Sequence, residues 1–243
     1  MTAQPHALVI TAPGTNRHPD VMFALRQAGA TASTVNLVQL AQNPDALRAA
    51  QMIVIAGGFS FADALGAGRL FALELEHIIG SELALFAKSG KPVLGICNGF
   101  QTLVRLGVLP GGNDAALGHN EQGGFQCRWV SMKPVSKNCA WTERLTDDIY
   151  CPIAHGEGRF TCDDKTLQSL QQHDQIAFTY SSPNPNGSHA DIAGICDQTG
   201  MVLGMMPHPE NHIVARQHPQ FHRGRRDGLG LPLFEQGVRI ANA

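Results

Sequence analysis

Apolar positions along the first hundred residues follow two alternating rhythms. Ala7–Ile10, Thr31–Leu37, Met52–Ala56 and Pro92–Ile96 are short runs rich in apolar or β-branched residues, the signature of strands. Between them, Pro19–Ala28 has helical spacing closed by Gly29, and Gly68–Lys88 predicts one long helix. Asn43-Pro44 supplies an N-cap and a first helical residue for a short helix over Pro44–Ala50. Strands apolar on both faces, alternating with helices, imply a parallel sheet covered on both sides.

The middle of the chain reads differently. Gly124–Val135 alternates apolar with polar or basic residues, and the strand-like runs Ile176–Tyr180, Ile192–Cys196 and Met201–Met206 follow with turn signals between them. This is mixed β structure completing the same sheet, with no repeat and no linker. The expected fold class is therefore α/β: one domain over residues 1–243, with a largely parallel central sheet flanked by helices. A length of 243 residues suits one large domain. A formal charge of −2 gives no general attraction to nucleic acid or anionic membrane. No apolar run approaches the ~18 residues of a membrane span, and the opening residues lack a basic leader. The expectation is a cytoplasmic chain with reduced thiols, so the six cysteines pose a question of reactivity rather than of disulfide pairing.

One cysteine stands apart. Gly95-Ile96-Cys97-Asn98-Gly99 lies where the run Pro92–Ile96 meets a helical stretch over Asn98–Leu106, a thiol version of the nucleophile elbow. Glycines remove β-carbons where such a turn would clash, and the helix N-terminus lowers a thiol pKa and offers N–H groups to an oxyanion. The bland reading is a buried cysteine among packing glycines.

A thiol nucleophile needs a base, and the base needs an orienting group. Pro207-His208-Pro209-Glu210 follows the run Met201–Met206 directly, at a strand end where the elbow cysteine also projects. His208 is the candidate base and Glu210 its orienting carboxylate; a surface histidine in a turn is the alternative. His155-Gly156-Glu157-Gly158-Arg159 is a rival pair, more simply read as a surface or partner-facing loop. Gly57-Gly58-Phe59 ends another strand and can supply oxyanion amides, or be an ordinary turn. Metal chemistry is disfavoured: Pro209 and Pro219 spoil the His208/His212 and His218/His222 helical spacings, and no C-x-x-C occurs. Arg223-Gly224-Arg225-Arg226 reads as a solvated basic loop or a partner contact.

Cys97 in GICNGFQ with His208 and Glu210 in PHPE resembles the class I (triad) glutamine amidotransferases. PGTN (Pro13–Asn16), GGFSFAD (Gly57–Asp63), FQCRWV (Phe125–Val130), HGEGRF (His155–Phe160), NPNGS (Asn184–Ser188) and GMMPHPE (Gly204–Glu210) narrow the likeness. They are similar to the stand-alone glutaminase subunits of phosphoribosylformylglycinamidine synthases. The resemblance implies a flavodoxin-like architecture and a glutamine substrate. Cys97 would be the nucleophile, His208 the acid–base and Glu210 its partner. Gly57, Gly58, Phe59 and Asn98 would surround the oxyanion, and Gln101 would contact glutamine. It further implies no cofactor and no metal in this subunit. ATP and magnesium would be used by a synthetase partner subunit, and a third small subunit stays open. A triad glutaminase serving another synthetase, or a catalytically silent subunit of the same fold, remain the alternatives. The chain departs from the pattern at Phe61-Ala62, where Tyr-Gly is usual, and at Arg17-His18, where an acidic-Cys stretch is common; the tail around Phe221–Leu231 also differs.

Overall fold

The computed structural model describes residues 4–80, 82–112, 114–181 and 183–243. Met1–Ala3, the start of the segment read for a leader, lie outside them, as does Ser81 within the stretch expected to be one helix. The elements run β1 (His6–Thr11), α1 (His18–Gln27), β2 (Thr31–Asn36), α2 (Leu37–Gln42), α3 (Asp45–Ala49) and β3 (Met52–Ile55). Next come α4 (Arg69–Ile79), α5 (Glu82–Lys88), β4 (Val93–Ile96), α6 (Asn98–Arg105), β5 (Ala115–Gly118), β6 (Gln126–Pro134) and β7 (Ile149–His155). The chain closes with β8 (Arg159–Cys162), α7 (Asp164–Gln172), β9 (Ile176–Ser181), β10 (Ile192–Cys196), β11 (Val202–Met205) and α8 (Leu231–Ala241).

Nine strands form one sheet in the order β2-β1-β3-β4-β11-β10-β9-β6-β7, and β5 pairs with β8 separately. From β2 to β11 the neighbours are parallel; from β11 to β7 every pairing is antiparallel. The burial follows the pairing. β3, β4 and β11 are buried at every position, as strands covered on both faces must be, whereas β7 alternates buried and half-buried residues. α1 and α8 pack together against β1–β3, while α6 packs against β3, β4 and β11 and carries α4 on its side. One continuous apolar core runs through both halves of the sheet.

Two helical expectations are corrected. The stretch Gly68–Lys88 is two helices, because Gly80 takes φ 43° and ends α4. Asn43 does not cap the short helix: Pro44 occupies that position, and Asn43 ends α2 instead. The side-chain cap belongs to Asn36, at the start of α2, which accepts the Gln39 amide at 2.9 Å and donates its own N–H to Gln39 Oε1 at 3.0 Å. β7 was not expected, since Pro152 interrupts its pattern. It lies at the sheet edge, where a missing backbone donor is tolerated. The basic segment is an exposed loop in which Arg225 meets Asp227 at 3.1 Å and Arg226 stacks 3.8 Å over Phe221. Among the described residues, no helix is long and apolar enough to cross a membrane.

Candidate active site

Parallel pairing of β4 with β11 builds the site. Ile96 stands opposite Met205, and the Cys97 amide extends the ladder by donating to Met205 O at 2.7 Å. The residues that follow each strand therefore emerge side by side. Cys97 takes φ 50°, ψ −105°, a left-handed conformation unusual for a non-glycine residue, directly before α6. Its carbonyl accepts the Gln101 amide at 3.0 Å, so the helix starts immediately after Cys97 and its first N–H groups lack intrahelical partners there.

The His208 ring lies beside the Cys97 side chain, whose sulfur also stands 3.9 Å from Ala154 O. His208 Nδ1–H donates to Glu210 Oε1 at 2.6 Å, with both side chains at most 2% exposed. Among the described residues the second Glu210 oxygen is buried without a hydrogen-bond partner, and His208 is the one group bonded to the carboxylate. The loop is anchored by its backbone, the His208 amide donating to Pro152 O at 2.9 Å, and Pro209–Asn211 forms a 3-10 turn. Burial opposes a charged imidazole here, but the Glu210 carboxylate and the Cys97 sulfur outweigh it and raise His208 to about 10. The ring is thus held as a strong proton acceptor.

The remaining expected residues gather around this line. A β-carbon on Gly57 would stand 3.1 Å from His208 Cε1 and 3.2 Å from Cys97 Cβ, so Gly57 lies against both. Gly58 takes φ 103°, and a β-carbon there would meet Asn16 Oδ1 at 2.2 Å. The PGTN segment supports this turn from beneath: Asn16 N donates to Gly58 O at 3.1 Å, and Thr15 Oγ1 meets Ser60 Oγ at 2.8 Å. Phe59 lies in a left-handed conformation and stacks on Phe125 at 5.7 Å. Asn98 Oδ1 accepts the Ser60 amide at 3.1 Å, while its Nδ2 donates to Asp63 Oδ1 and Gln101 Oε1, both at 2.9 Å. The Gly58 and Asn98 amides donate to no protein group among the described residues, which leaves both free for an oxyanion.

The rival loop is not peripheral. His155 is 3% exposed, and burial together with the His208 charge pushes it down to about 4. It is neutral at pH 7 and its Nδ1–H donates to Asn120 Oδ1 at 3.0 Å. Gln101 donates through its side-chain amide to the carbonyl of Glu157. The expectation of a surface loop failed because β7, masked in the sequence by Pro152, delivers this segment onto α6. Asn120 carried no local signal at all. His212 does not reach the triad; its Nδ1–H is committed to Tyr150 O at 2.6 Å and Gly228 O at 3.0 Å. Among the described residues, no group of three or more His, Cys, Asp or Glu side chains is arranged to hold a metal. The six cysteines are free thiols.

A cavity of about 440 Å³ opens between α4, α6 and β5, with Arg69, Glu76 and Arg105 in its walls. It shares only Gln101 with the constellation around Cys97 and carries none of the triad.

Comparisons with known proteins agree in kind. Residues 4–240 match the model of the CobB/CobQ-like glutamine amidotransferase domain. The phosphoribosylformylglycinamidine synthase subunit PurQ of Treponema denticola is 44% identical, over 97% of this chain and 98% of the relative. The protein of the same description from Mycobacterium bovis is 40% identical over 92% of each chain. A chain in the structure of PurLQS from Thermotoga maritima superposes with a TM-score of 0.79 at 32% identity, covering 98% of this chain and 99% of that one. The chain therefore belongs to the CobB/CobQ-like glutamine amidotransferase family, and within it to the PurQ subunits of phosphoribosylformylglycinamidine synthase.

Proposed function

We propose that this chain is the glutaminase subunit of a phosphoribosylformylglycinamidine synthase, a cytoplasmic enzyme of purine biosynthesis. It hydrolyses glutamine to glutamate and passes the ammonia to a synthetase subunit. The observation that carries the reading is the buried line from Cys97 through His208 to Glu210, on a family scaffold matched over nearly the full length.

Cys97 attacks the side-chain amide carbon of glutamine, and its proton passes to His208. The oxygen of the tetrahedral intermediate receives the amides of Gly58 and Asn98, in a turn shaped by Gly57 and Phe59. His208 returns the proton to the amide nitrogen, the carbon–nitrogen bond breaks, ammonia departs and a γ-glutamyl thioester remains. Water, deprotonated by His208, cleaves that thioester, freeing glutamate and the thiol. Glu210 fixes the imidazole so that Nε2 faces the sulfur and stabilises the positive charge that the ring carries between steps. Gln101 helps to hold the substrate.

The synthetase partner uses ATP and magnesium to activate the acceptor amide; this subunit contributes no metal or organic cofactor. Ammonia release from glutamine, measured with and without the synthetase subunit, tests the assignment. Turnover should rise on complex formation and vanish in Cys97→Ala. Undiminished release by that variant would overturn it.

A further inference from the structure

The reaction above uses Glu210 but leaves open what holds its carboxylate in place. Among the described residues Glu210 bonds only to His208 through its side chain, and its second oxygen is buried without a partner. Its position is therefore set through the backbone, by the 3-10 turn Pro209–Asn211 that carries it. That turn is tied at both ends to one strand. β7 lies at the sheet edge, and Tyr150 and Pro152 present their carbonyls away from β6. Pro152 O accepts the His208 amide at 2.9 Å, just before the turn, and Tyr150 O accepts His212 Nδ1–H at 2.6 Å, just after it. The first tie is backbone to backbone; the second is made by a side chain.

His212 is fully buried and commits every polar group but one. Its amide donates to Pro209 O at 3.0 Å, closing the turn, and its carbonyl accepts the Gly230 amide at 2.7 Å. Nδ1–H is shared with Gly228 O at 3.0 Å, which also accepts the Tyr150 amide at 2.8 Å. One ring thus pins the turn, the edge strand and the tail segment Gly228–Gly230 at a single point. Carbonyls only accept, so Nδ1 carries the proton and Nε2 the lone pair. That Nε2 is buried with no hydrogen-bond partner among the described residues. Trp129, from the FQCRWV segment, meets the ring edge-on at 5.3 Å, as does His218 at 5.3 Å, and Tyr150 packs on both of these at 5.2 Å. Burial, ahead of the His218 charge, holds His212 below the ordinary histidine range, which keeps the ring neutral with its donor on Nδ1.

A buried imidazole with one nitrogen unsatisfied is a costly way to fill space, and a phenyl ring would fill it without that cost. What the imidazole adds is the Nδ1 donor. We propose that His212 is a positioning residue for glutamine hydrolysis: its Nδ1–H fastens the turn that carries Glu210 to the edge strand β7, and so holds the carboxylate against the His208 imidazole. It acts through Glu210 and not on glutamine. The assignment rests on the glutaminase reading and names what fixes its acid–base pair.

Two variants separate the donor from the packing. His212→Phe keeps a ring beside Trp129 and His218 and removes the donor; His212→Asn gives up the ring and keeps an N–H near the place of Nδ1. In the complex with the synthetase subunit, His212→Phe should lower kcat for glutamine about 10- to 100-fold and leave KM within about threefold, since a misplaced acid–base group impairs turnover more than binding. His212→Asn should recover most of that kcat although it packs less well. His208, raised to about 10 beside Glu210, gives a second readout in chain labelled with 15N-histidine. At about pH 8.5 its ring should be imidazolium in wild type and His212→Asn, and substantially neutral in His212→Phe, where the carboxylate has moved off. A kcat for His212→Phe at or above that of His212→Asn, or an unchanged His208 charge in His212→Phe, overturns this assignment alone. Should neither variant fold, the 15N shifts of wild type decide: His212 should be the Nδ1–H tautomer near pH 7, and an Nε2–H tautomer overturns the proposal. A wild-type complex inert on glutamine overturns the glutaminase reading and this one with it.

Discussion

Cys97 holds a left-handed backbone that cysteine does not adopt freely, and what keeps it there is the Met205 hydrogen bond on one side and α6 on the other. The His208 imidazole depends in the same way on the Glu210 carboxylate beside it. Glu210→Gln should therefore lower glutamine turnover roughly 10²- to 10⁴-fold with little change in KM, by steady-state kinetics, since it removes the charge that supports the imidazolium. His208 and His155 set opposite pH limits on stability. His208, raised to about 10, contributes stability that is fully present below the ordinary histidine value of 6.5 and is lost as pH climbs toward 10. His155, depressed to about 4, is preferred neutral in the fold, so stability falls as pH drops from 6.5 toward 4. Urea midpoints should peak between these limbs. His155→Gln should flatten the acid limb by roughly 1–2 kcal/mol between about pH 6.5 and 5, and His208→Gln should flatten the alkaline one. An acid limb unchanged in His155→Gln would contradict the assignment. Cys97, His208 and Glu210, proposed here as a triad, stand out in the sequence because each sits in a local pattern, G-x-C-x-G or P-H-P-E. Asn120 was not legible, since its partners in the His155–Gly158 segment are dozens of residues away.

At the scale of elements, the close approach of α6 to the sheet decides where the sulfur lies. A β-carbon on Gly99 would fall 2.0 Å from Ile55 O and 2.8 Å from its carbonyl carbon, both backbone atoms of β3 that cannot swing aside. Gly99→Ala should cost about 1–3 kcal/mol in urea denaturation and lower activity further, because the helix must lift away from β3 and pull on Cys97 at its start. The parallel strands were readable because burial on both faces leaves an unbroken apolar run. Elements with one wet face or a proline were not. β7 hides behind Pro152, and β8 is only four residues long. α7 did carry a signal, the Asp163 side chain capping Thr166 N at 2.8 Å, but it stands in a polar stretch with little periodicity. The break between α4 and α5 rests on one backbone angle at Gly80, which hydrophobic spacing does not report.

The whole molecule joins a parallel half and an antiparallel half across the pairing of β11 with β10. The apolar core passes through that seam, and Trp141, buried in the antiparallel half of the chain, packs on Gly237 of α8 and donates to Met201 O at 2.9 Å. Urea unfolding should accordingly be one transition, with tryptophan fluorescence and far-ultraviolet circular dichroism coinciding; two separated transitions would mean that the halves are independent units. The same seam marks the division between sequence and structure. Local patterns alone determined the α/β class, the elbow cysteine and the His-Pro-Glu loop, because strand burial, tight turns and proline-stiffened loops are governed by neighbours along the chain. Tertiary structure decided that β4 and β11 are adjacent, which sets His208 against Cys97, and that the edge strand β7 lays Glu157 over α6. Those contacts join residues dozens to more than a hundred positions apart, and only the folding of the sheet brings them within hydrogen-bonding distance.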